Sequence, residues 1–132
     1  MRIGLLLSLL TFGAVAVAQP PSGVMDFVRA AAEQLANNEP REFAANFDSS
    51  MPGFAALRDD VEALLAAHEV GSTIEVVSNE GDEQKQTVSL DWVLSVSDVG
   101  DRRQIVKCRV ERQGKSWKFT SFEPIGFFKY DN

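Results

Sequence analysis

The sequence contains only one histidine, His68, and one cysteine, Cys108, among its 132 residues. A lone cysteine excludes a disulfide within the chain, and this pair supplies too few nitrogen and sulfur ligands for a structural zinc site. Glycine-rich phosphate loops and the HExxH and GxSxG motifs are also missing from the sequence. We therefore expect no disulfide, no metal site and no cofactor. Cys108, between Val106 and Val110, is predicted to be a small buried hydrophobe.

Long hydrophobic runs are scarce too, since the only one extends from Ile3 to Val17 behind the positively charged Met1-Arg2 end. At a rise of about 1.5 Å per residue, this run is too short to cross a hydrocarbon core of about 30 Å comfortably. Ala16-Val17-Ala18 offers the small side chains that signal peptidase accepts. We therefore predict that residues 1–18 are a signal peptide cleaved between Ala18 and Gln19.

The predicted mature chain has an extended lead at residues 19–22 and a single domain at residues 23–132, because this length suffices for one core. It is expected to be exported, either periplasmic or secreted. No cysteine follows directly after the apolar run, so the thiol that a lipid anchor needs at that position is missing. No stable membrane anchor is therefore expected after cleavage.

Positive charge is in deficit, and loss of Arg2 with the signal peptide would leave 12 basic against 19 acidic residues, a formal charge of −7. We expect no nucleic-acid partner, because the field of such a molecule repels phosphates. Seven of the 12 basic residues nevertheless lie between Arg102 and Lys118. They either form a patch for an anionic partner or pair across a sheet with Glu75 and Asp91, at about 0.2–1 kcal/mol per pair.

The first half of the mature chain is patterned for three helices. After Ser22, apolar residues recur at helical spacing until Asn37-Asn38: Val24, Phe27, Val28, Ala31 and Leu35. Pro40 suits the first turn of a short second helix. A third helix after Pro52 ends before Gly71 and carries one apolar stripe: Phe54, Leu57, Val61, Leu64, Leu65 and His68.

After Gly71 the pattern changes to alternation with many β-branched residues, which predicts strands at 73–79, 86–98, 103–112 and 116–123. The turns between them are short, so neighbouring strands should be antiparallel. The outer face is expected to carry only Val77, Val93 and Phe122 as apolar residues, so we expect a monomer or a weak homodimer. The inner face is predicted to be apolar and to pack on the helices: Ile74, Val76, Val88, Leu90, Trp92, Leu94, Val96, Val106, Cys108, Val110, Trp117 and Phe119.

This order of elements predicts an α+β domain with three N-terminal helices packed on a curved four-stranded antiparallel sheet. The runs Phe47-Asp48-Ser49-Ser50-Met51-Pro52-Gly53-Phe54 and Leu57-Arg58-Asp59-Asp60-Val61 lead to Leu90-Asp91-Trp92 and Trp117-Lys118. With these runs the chain resembles the nuclear transport factor 2-like superfamily of cone-shaped proteins, and it is similar to exported bacterial members. This superfamily includes SnoaL-type polyketide cyclases and ketosteroid isomerases. The resemblance implies a pocket between helices and sheet rather than a particular reaction.

Enzymes of the resembled superfamily place an Asp, His or Tyr inside the cone, and three residues here are weak candidates for such a role. His68 either faces the pocket or interacts with the carbonyls at the end of its helix. Glu123 either shares the inward alternation of Trp117 and Phe119 or escapes it, since it precedes Pro124 at the strand end, where the alternation easily fails. Asp26 either complements the dipole of the first helix or reaches a pocket.

Large aromatic side chains either fill the core or wall an apolar ligand site. The residues predicted to line such a site are Phe27, Trp92, Trp117, Phe119 and His68. Three functions stay open: a non-enzymatic small-molecule-binding or accessory domain of the cell envelope, a protein-interaction or assembly domain, and an isomerase, cyclase or dehydratase. A small apolar molecule is the partner that the first of these implies.

Overall fold

The computed structural model describes residues 23–130, which form three helices followed by four strands. The predicted signal peptide, its cleavage site at Ala18 and Gln19, and the lead at 19–22 lie outside the described residues. The helices are α1 (Val24–Ala36), α2 (Pro40–Ala44) and α3 (Phe54–Ala67). The strands are β1 (Val70–Gly81), β2 (Lys85–Val96), β3 (Gly100–Gln113) and β4 (Ser116–Glu123). The predicted α+β class is confirmed.

The helices form where the apolar spacing predicts them. Helix α1 turns one buried stripe toward the sheet and packs on β1: Val24, Val28, Ala31, Ala32 and Leu35. Pro40 begins α2, as expected from its fixed φ angle, and Phe43 of this short helix is fully buried. Between residues 23 and 130 no helix combines the length and the apolar character that a membrane span requires.

The four strands form one open antiparallel sheet in the order β1-β2-β3-β4. Trp92 lies opposite Ile74 on one side and Gln104 on the other, in the middle of the sheet. The even-numbered residues of β2 are buried from Gln86 to Val96 because this strand lies between two others and turns that face to the helices. The inner face is therefore the predicted one over most of the sheet.

A β-bulge in β4 changes the predicted alternation near the end of the chain. Arg109 lies opposite Ser121 whereas Val110 lies opposite Phe119, so Thr120 is the extra residue. Because side chains alternate with a period of two, one extra residue exchanges the two faces beyond it. Phe122, which we expected on the outer face, is therefore buried, and Glu123, which shared the inward alternation, is exposed. The expected orientation of Phe122 is therefore wrong, and of the two alternatives for Glu123 the inward one is excluded.

The space between helices and sheet is filled by aromatic rings. The segment that follows β4, residues 124–130, folds over the sheet and buries Phe127 and Phe128 completely against Trp92, with ring centroids 5.8 and 5.7 Å from it. Phe122 joins this cluster, 5.5 Å from Phe128 and 5.8 Å from Trp92. These distances are those of packed aromatic pairs, so the cone interior is core and not an open pocket.

Candidate functional site

The predicted aromatic pocket is divided among three places in the structure. Trp92 and Phe119 are fully buried members of the core. Phe27 packs on Phe119, 4.9 Å between centroids, and lines a groove at the start of α1 together with Trp117. His68 lies elsewhere, beside a cleft at the other end of α1. The five residues therefore do not form one site.

The cleft beside His68 lies where α1 and α3 end, β1 begins and β2 ends. Its volume is about 480 Å³, which is within the range of small-molecule sites. Its apolar part consists of four buried side chains from four different elements or loops: Leu35, Leu65, Val70 and Val96. Its polar rim is contributed mainly by residues on the loops and strand ends: Asn38, Glu69, Ser95, Ser97 and Asp101.

His68 is placed by the end of α3. The helix ends at Ala67, one residue before His68, which we predicted as the last residue of its apolar stripe. His68 has extended backbone angles of φ −143° and ψ 157°. Its backbone N–H still donates to the carbonyl oxygen of Leu64 at 3.0 Å. Glu69, the next residue, is fixed beside the end of β2, since its backbone N–H donates to Ser97 Oγ at 3.0 Å. His68 is thus held on a short, tethered link between a helix and a strand.

Both ring nitrogens of His68 are buried, and neither has a hydrogen-bond partner within residues 23–130. A buried polar atom without a partner costs about 1–3 kcal/mol, so buried nitrogens in folded proteins are nearly always paired. The imidazole can both donate and accept a hydrogen bond in its neutral form. A molecule that enters the cleft with a polar group beside this ring would therefore recover part of that cost.

His68 also lines a second, smaller cavity of about 120 Å³. It is lined by His68, Asp60, Leu64 and Tyr130, among others. The Tyr130 hydroxyl is also buried without a partner among the described residues. Burial raises the pKa of Tyr130, which keeps the hydroxyl protonated and able to donate. Two unpaired polar side chains thus share one cavity, which the sequence did not indicate because Tyr130 follows the last strand by seven residues.

The charge of the cleft is negative. Glu69 and Asp101 stand at its rim, and no Lys or Arg is among the described residues that line it. Such a rim repels anions and favours a neutral or cationic molecule. Arg102, although next to Asp101 in the chain, points away to the C-terminal segment, where its guanidinium donates to the carbonyl oxygens of Phe127 and Lys129.

The two carboxylates proposed from the sequence are not beside this cleft. Glu123 is exposed on the outer face opposite Lys107, because of the bulge in β4. Asp26 is exposed in the first turn of α1, and it lines none of the clefts described here. Of the three catalytic candidates, only His68 lies in a cavity.

The surroundings of Cys108 and Asp48 indicate that both residues have structural roles. Cys108 is a free, buried thiol whose pKa is raised by burial, which disfavours the reactive thiolate.

Asp48 Oδ1 accepts hydrogen bonds from Ser50 N and Oγ at 2.8 and 2.6 Å, and its Oδ2 accepts one from Gln113. Asp48 therefore ties a turn to the end of β3, whereas the N-cap position of α3 is occupied by Gly53. Within residues 23–130, no three acidic, His or Cys side chains are grouped closely enough to hold a metal ion.

Solved structures share this fold at low sequence identity. Bd1075 from Bdellovibrio bacteriovorus has a TM-score of 0.68 at 11% identity over 76% of this chain and 39% of that chain, so the present chain spans about two-fifths of its length. A candidate scytalone dehydratase from Novosphingobium aromaticivorans has a TM-score of 0.60 at 14% identity, covering 75% and 78%. An NTF-2-like protein of unknown function from Shewanella oneidensis has a TM-score of 0.61 at 9% identity, covering 75% and 93%.

No protein-family model and no curated protein matches the sequence. The structural likenesses nevertheless agree with one another and with the element order of this chain. The chain has the nuclear transport factor 2-like fold that its sequence resemblance implied. At these identities the likeness concerns the fold alone, because the fold hosts many unrelated functions.

Proposed function

We propose that the protein is an exported, non-enzymatic small-molecule-binding or accessory domain of the cell envelope, with its ligand in the cleft beside His68. The observation that carries this proposal is the pair of buried, unpartnered ring nitrogens of His68 next to a cavity of about 480 Å³. A cavity with an apolar floor and a few unpaired polar groups is the usual form of a ligand site.

The residues that line the cleft restrict the shape of contact, the hydrogen bonding and the charge of the ligand that we propose. Leu35, Leu65 and Val96 provide apolar contact, at about 25 cal/mol for each Å² of apolar surface removed from water. His68 provides the directional hydrogen bond. Because Glu69 and Asp101 stand at the rim, the polar group of the ligand should be neutral or positively charged.

A non-enzymatic role is supported by the positions of the acidic candidates. Glu123 and Asp26 are exposed, so neither lies in a desolvated setting that would bring its carboxyl into acid-base work near neutrality. The cone interior, where enzymes of the resembled superfamily place such groups, is occupied by Trp92, Phe127 and Phe128. Export is supported by the charged start, apolar run and Ala16-Val17-Ala18 site of the sequence.

Native mass spectrometry of the protein purified from the envelope or medium of its own host tests both export and the presence of a bound small molecule. The expected polypeptide mass is that of residues 19–132, and the intact complex should carry one additional small molecule. Full-length protein that retains Met1 and is found in the cytoplasm would contradict export. A processed protein that carries nothing, or that forms a stable dimer without ligand, would instead favour an assembly domain.

A blocking variant shows whether the carried molecule occupies this cleft. Ser95 is exposed and lines the cleft, so Ser95→Trp should fill it without disturbing the core. Thr87→Trp is the matched control, because Thr87 is exposed on the same strand and lines none of the described clefts. The ligand should be lost from Ser95→Trp and retained by Thr87→Trp.

An enzyme of dehydratase or isomerase type is the second candidate, and one observation favours it. His68, Asp60 and Tyr130 line the same cavity of about 120 Å³, which brings a base, a carboxylate and a hydroxyl together. If this cavity were catalytic, Tyr130→Phe would abolish turnover of a screened substrate while leaving ligand retention in the larger cleft unchanged.

A further inference from the structure

A second groove lies at the opposite end of α1, between the start of that helix and the hairpin that joins β3 to β4. Its volume is about 330 Å³. Arg112, Lys115 and Lys118 line it, and no acidic side chain is among its lining residues in the described chain. In a protein with 13 basic and 19 acidic residues, three cations around one groove produce a local positive potential against the overall charge.

These cations form no close ion pairs among the described residues. Arg112 Nε donates to the backbone oxygen of Glu83 at 3.0 Å, and the Lys118 ammonium donates to the backbone oxygen of Ala45. Within residues 23–130 the ion pairs are Arg58–Asp59 and Arg103–Asp91, and neither involves the groove. Lys118 also interacts electrostatically with the carboxylate of Asp48, so the charges of Arg112 and Lys115 are the ones available to a ligand.

Trp117 supplies a buried donor in the same groove. The residue is only 5% exposed, and its indole Nε1 is buried without an acceptor within residues 23–130. By contrast, Trp92 Nε1 donates to Ser72 Oγ at 2.9 Å. A Cβ atom placed on Gly23 would lie 3.5 Å from Trp117 Nε1, so the indole nitrogen lies next to the N-cap residue of α1.

The start of α1 adds further donors. The first backbone N–H groups of a helix have no partner within it, and Gly23 at the N-cap position has no side chain with which to cap them. The helix dipole also places partial positive charge at this end, which favours an anion. Asp26 lies in the first turn but does not line the groove.

We propose that this groove binds a small oxyanion, a carboxylate or phosphate group, through the Trp117 indole N–H, the start of α1 and the charges of Arg112 and Lys115. Phe27 lines the groove next to Trp117 and would contact an apolar part of a larger anionic ligand. This site is separate from the cleft beside His68, whose acidic rim selects against anions. The proposal therefore stands independently of the proposed function.

The test is to titrate the mature chain with inorganic phosphate, and separately with acetate, at constant ionic strength maintained by chloride. The two indole N–H signals in ¹H–¹⁵N NMR spectra report on the groove and on the core. The Trp117 signal should shift and saturate with phosphate, acetate or both, while the Trp92 signal stays unchanged. The two titrations distinguish phosphate from carboxylate as the preferred group.

Lys115→Gln is the decisive variant, because Lys115 is exposed and its replacement leaves the core intact. Loss of one charged contact should raise the apparent Kd about fivefold. Lys107→Gln is the matched control, an exposed cation on β3 outside the groove, and should leave the Kd unchanged. An unmoved Trp117 signal, an equal shift in chloride alone, or equal weakening by both variants would overturn the proposal.

Discussion

The guanidinium of Arg102 lies over the ring of Tyr130, with Arg102 Cζ 3.9 Å from the ring centroid. Arg102 Nη1 also donates to the backbone oxygen of Phe127 at 2.7 Å. One side chain of β3 thus binds the C-terminal segment at three points, through a cation–π contact with Tyr130 and charge-assisted hydrogen bonds to the carbonyl oxygens of Phe127 and Lys129. This segment carries the rings that close the cone, so Arg102 couples the sheet to the filled core.

Arg102→Ala should therefore lower the free energy of unfolding by about 1–3 kcal/mol, since two backbone carbonyls lose their charged donor. Urea denaturation measures this change. Arg103→Ala is the control, because the Arg103 side chain is 71% exposed and pairs with Asp91 on the outer face of the sheet instead of the C-terminal segment, so its loss should cost less. Equal losses from the two variants would show that the C-terminal segment does not depend on Arg102.

Phe128 is the ring on which the filled cone depends most directly. It is fully buried and lies 5.3 Å from Phe43 and 5.1 Å from Phe127, centroid to centroid. Phe128→Ala should lower the free energy of unfolding by about 3–5 kcal/mol, since it leaves a cavity in a packed core. Ile125→Ala, at a residue that is 40% exposed in the same segment, should cost less than about 1 kcal/mol. A small loss from Phe128→Ala would mean that the cone is not packed as described.

The sequence predicted the fold well because apolar spacing is a local property of the chain. The stripe of α1 and the alternation of β2 follow directly from residue order, and they placed Leu35 and Trp92 on their faces correctly. The bulge at Thr120 is different, since it depends on how β4 pairs with β3. No local pattern marks it, and the face of Phe122 was therefore predicted wrongly, while that of Glu123 was left open.

The candidate site could be predicted only in part for a similar reason. His68 was identifiable because it is the only histidine and ends an apolar stripe. Its surroundings come from residues far apart in the chain, such as Asn38, Ser95 and Asp101, which lie on turns and strand ends. Tyr130 reaches the smaller cavity because the C-terminal segment folds back over the sheet, where Arg102 lies over the Tyr130 ring. Such contacts are decided by tertiary structure and have no periodic signal.

Cys108 should behave as an inert core residue. It is 1% exposed, and burial raises the pKa of its thiol, so the nucleophilic thiolate is disfavoured at neutral pH. A bulky thiol reagent should label the native protein only as fast as it unfolds, which the time course of absorbance at fixed urea concentrations measures. Cys108→Ser should lower the free energy of unfolding by about 1–3 kcal/mol, because a hydroxyl replaces the thiol in an apolar site. Rapid labelling without denaturant would contradict this placement.

Asp48 should make the acid stability of the fold depend on its charge. Hydrogen bonds from the Ser50 side chain, the Ser50 backbone and Gln113 lower the pKa of Asp48 from 3.8 to about 2, and the positive charge of Lys118 acts in the same direction. A lowered pKa in the folded state means that the carboxylate stabilises the fold above about pH 4 and loses this effect as the pH falls to about 2.

The stability difference between wild type and Asp48→Asn should therefore narrow between about pH 4 and pH 2. NMR titration of the Asp48 carboxyl carbon measures the pKa itself. A midpoint at or above the ordinary 3.8 would show that the turn at Ser50 does not hold the carboxylate as described.

We propose that the cleft beside His68 is a ligand site in which the imidazole forms a directional hydrogen bond with the ligand. His68→Phe keeps a ring of similar shape but removes both nitrogens, so it should weaken the ligand about tenfold, as expected for loss of one buried hydrogen bond.

The most direct measurement is a ¹H–¹³C NMR spectrum of the protein labelled at its single histidine, recorded during titration with the molecule recovered from the host. The His68 ring signals should shift and saturate, and Ser95→Trp should abolish the shift while Thr87→Trp preserves it. Saturating binding that leaves the His68 signals unmoved, or that persists in Ser95→Trp, would show that the ligand does not bind in this cleft.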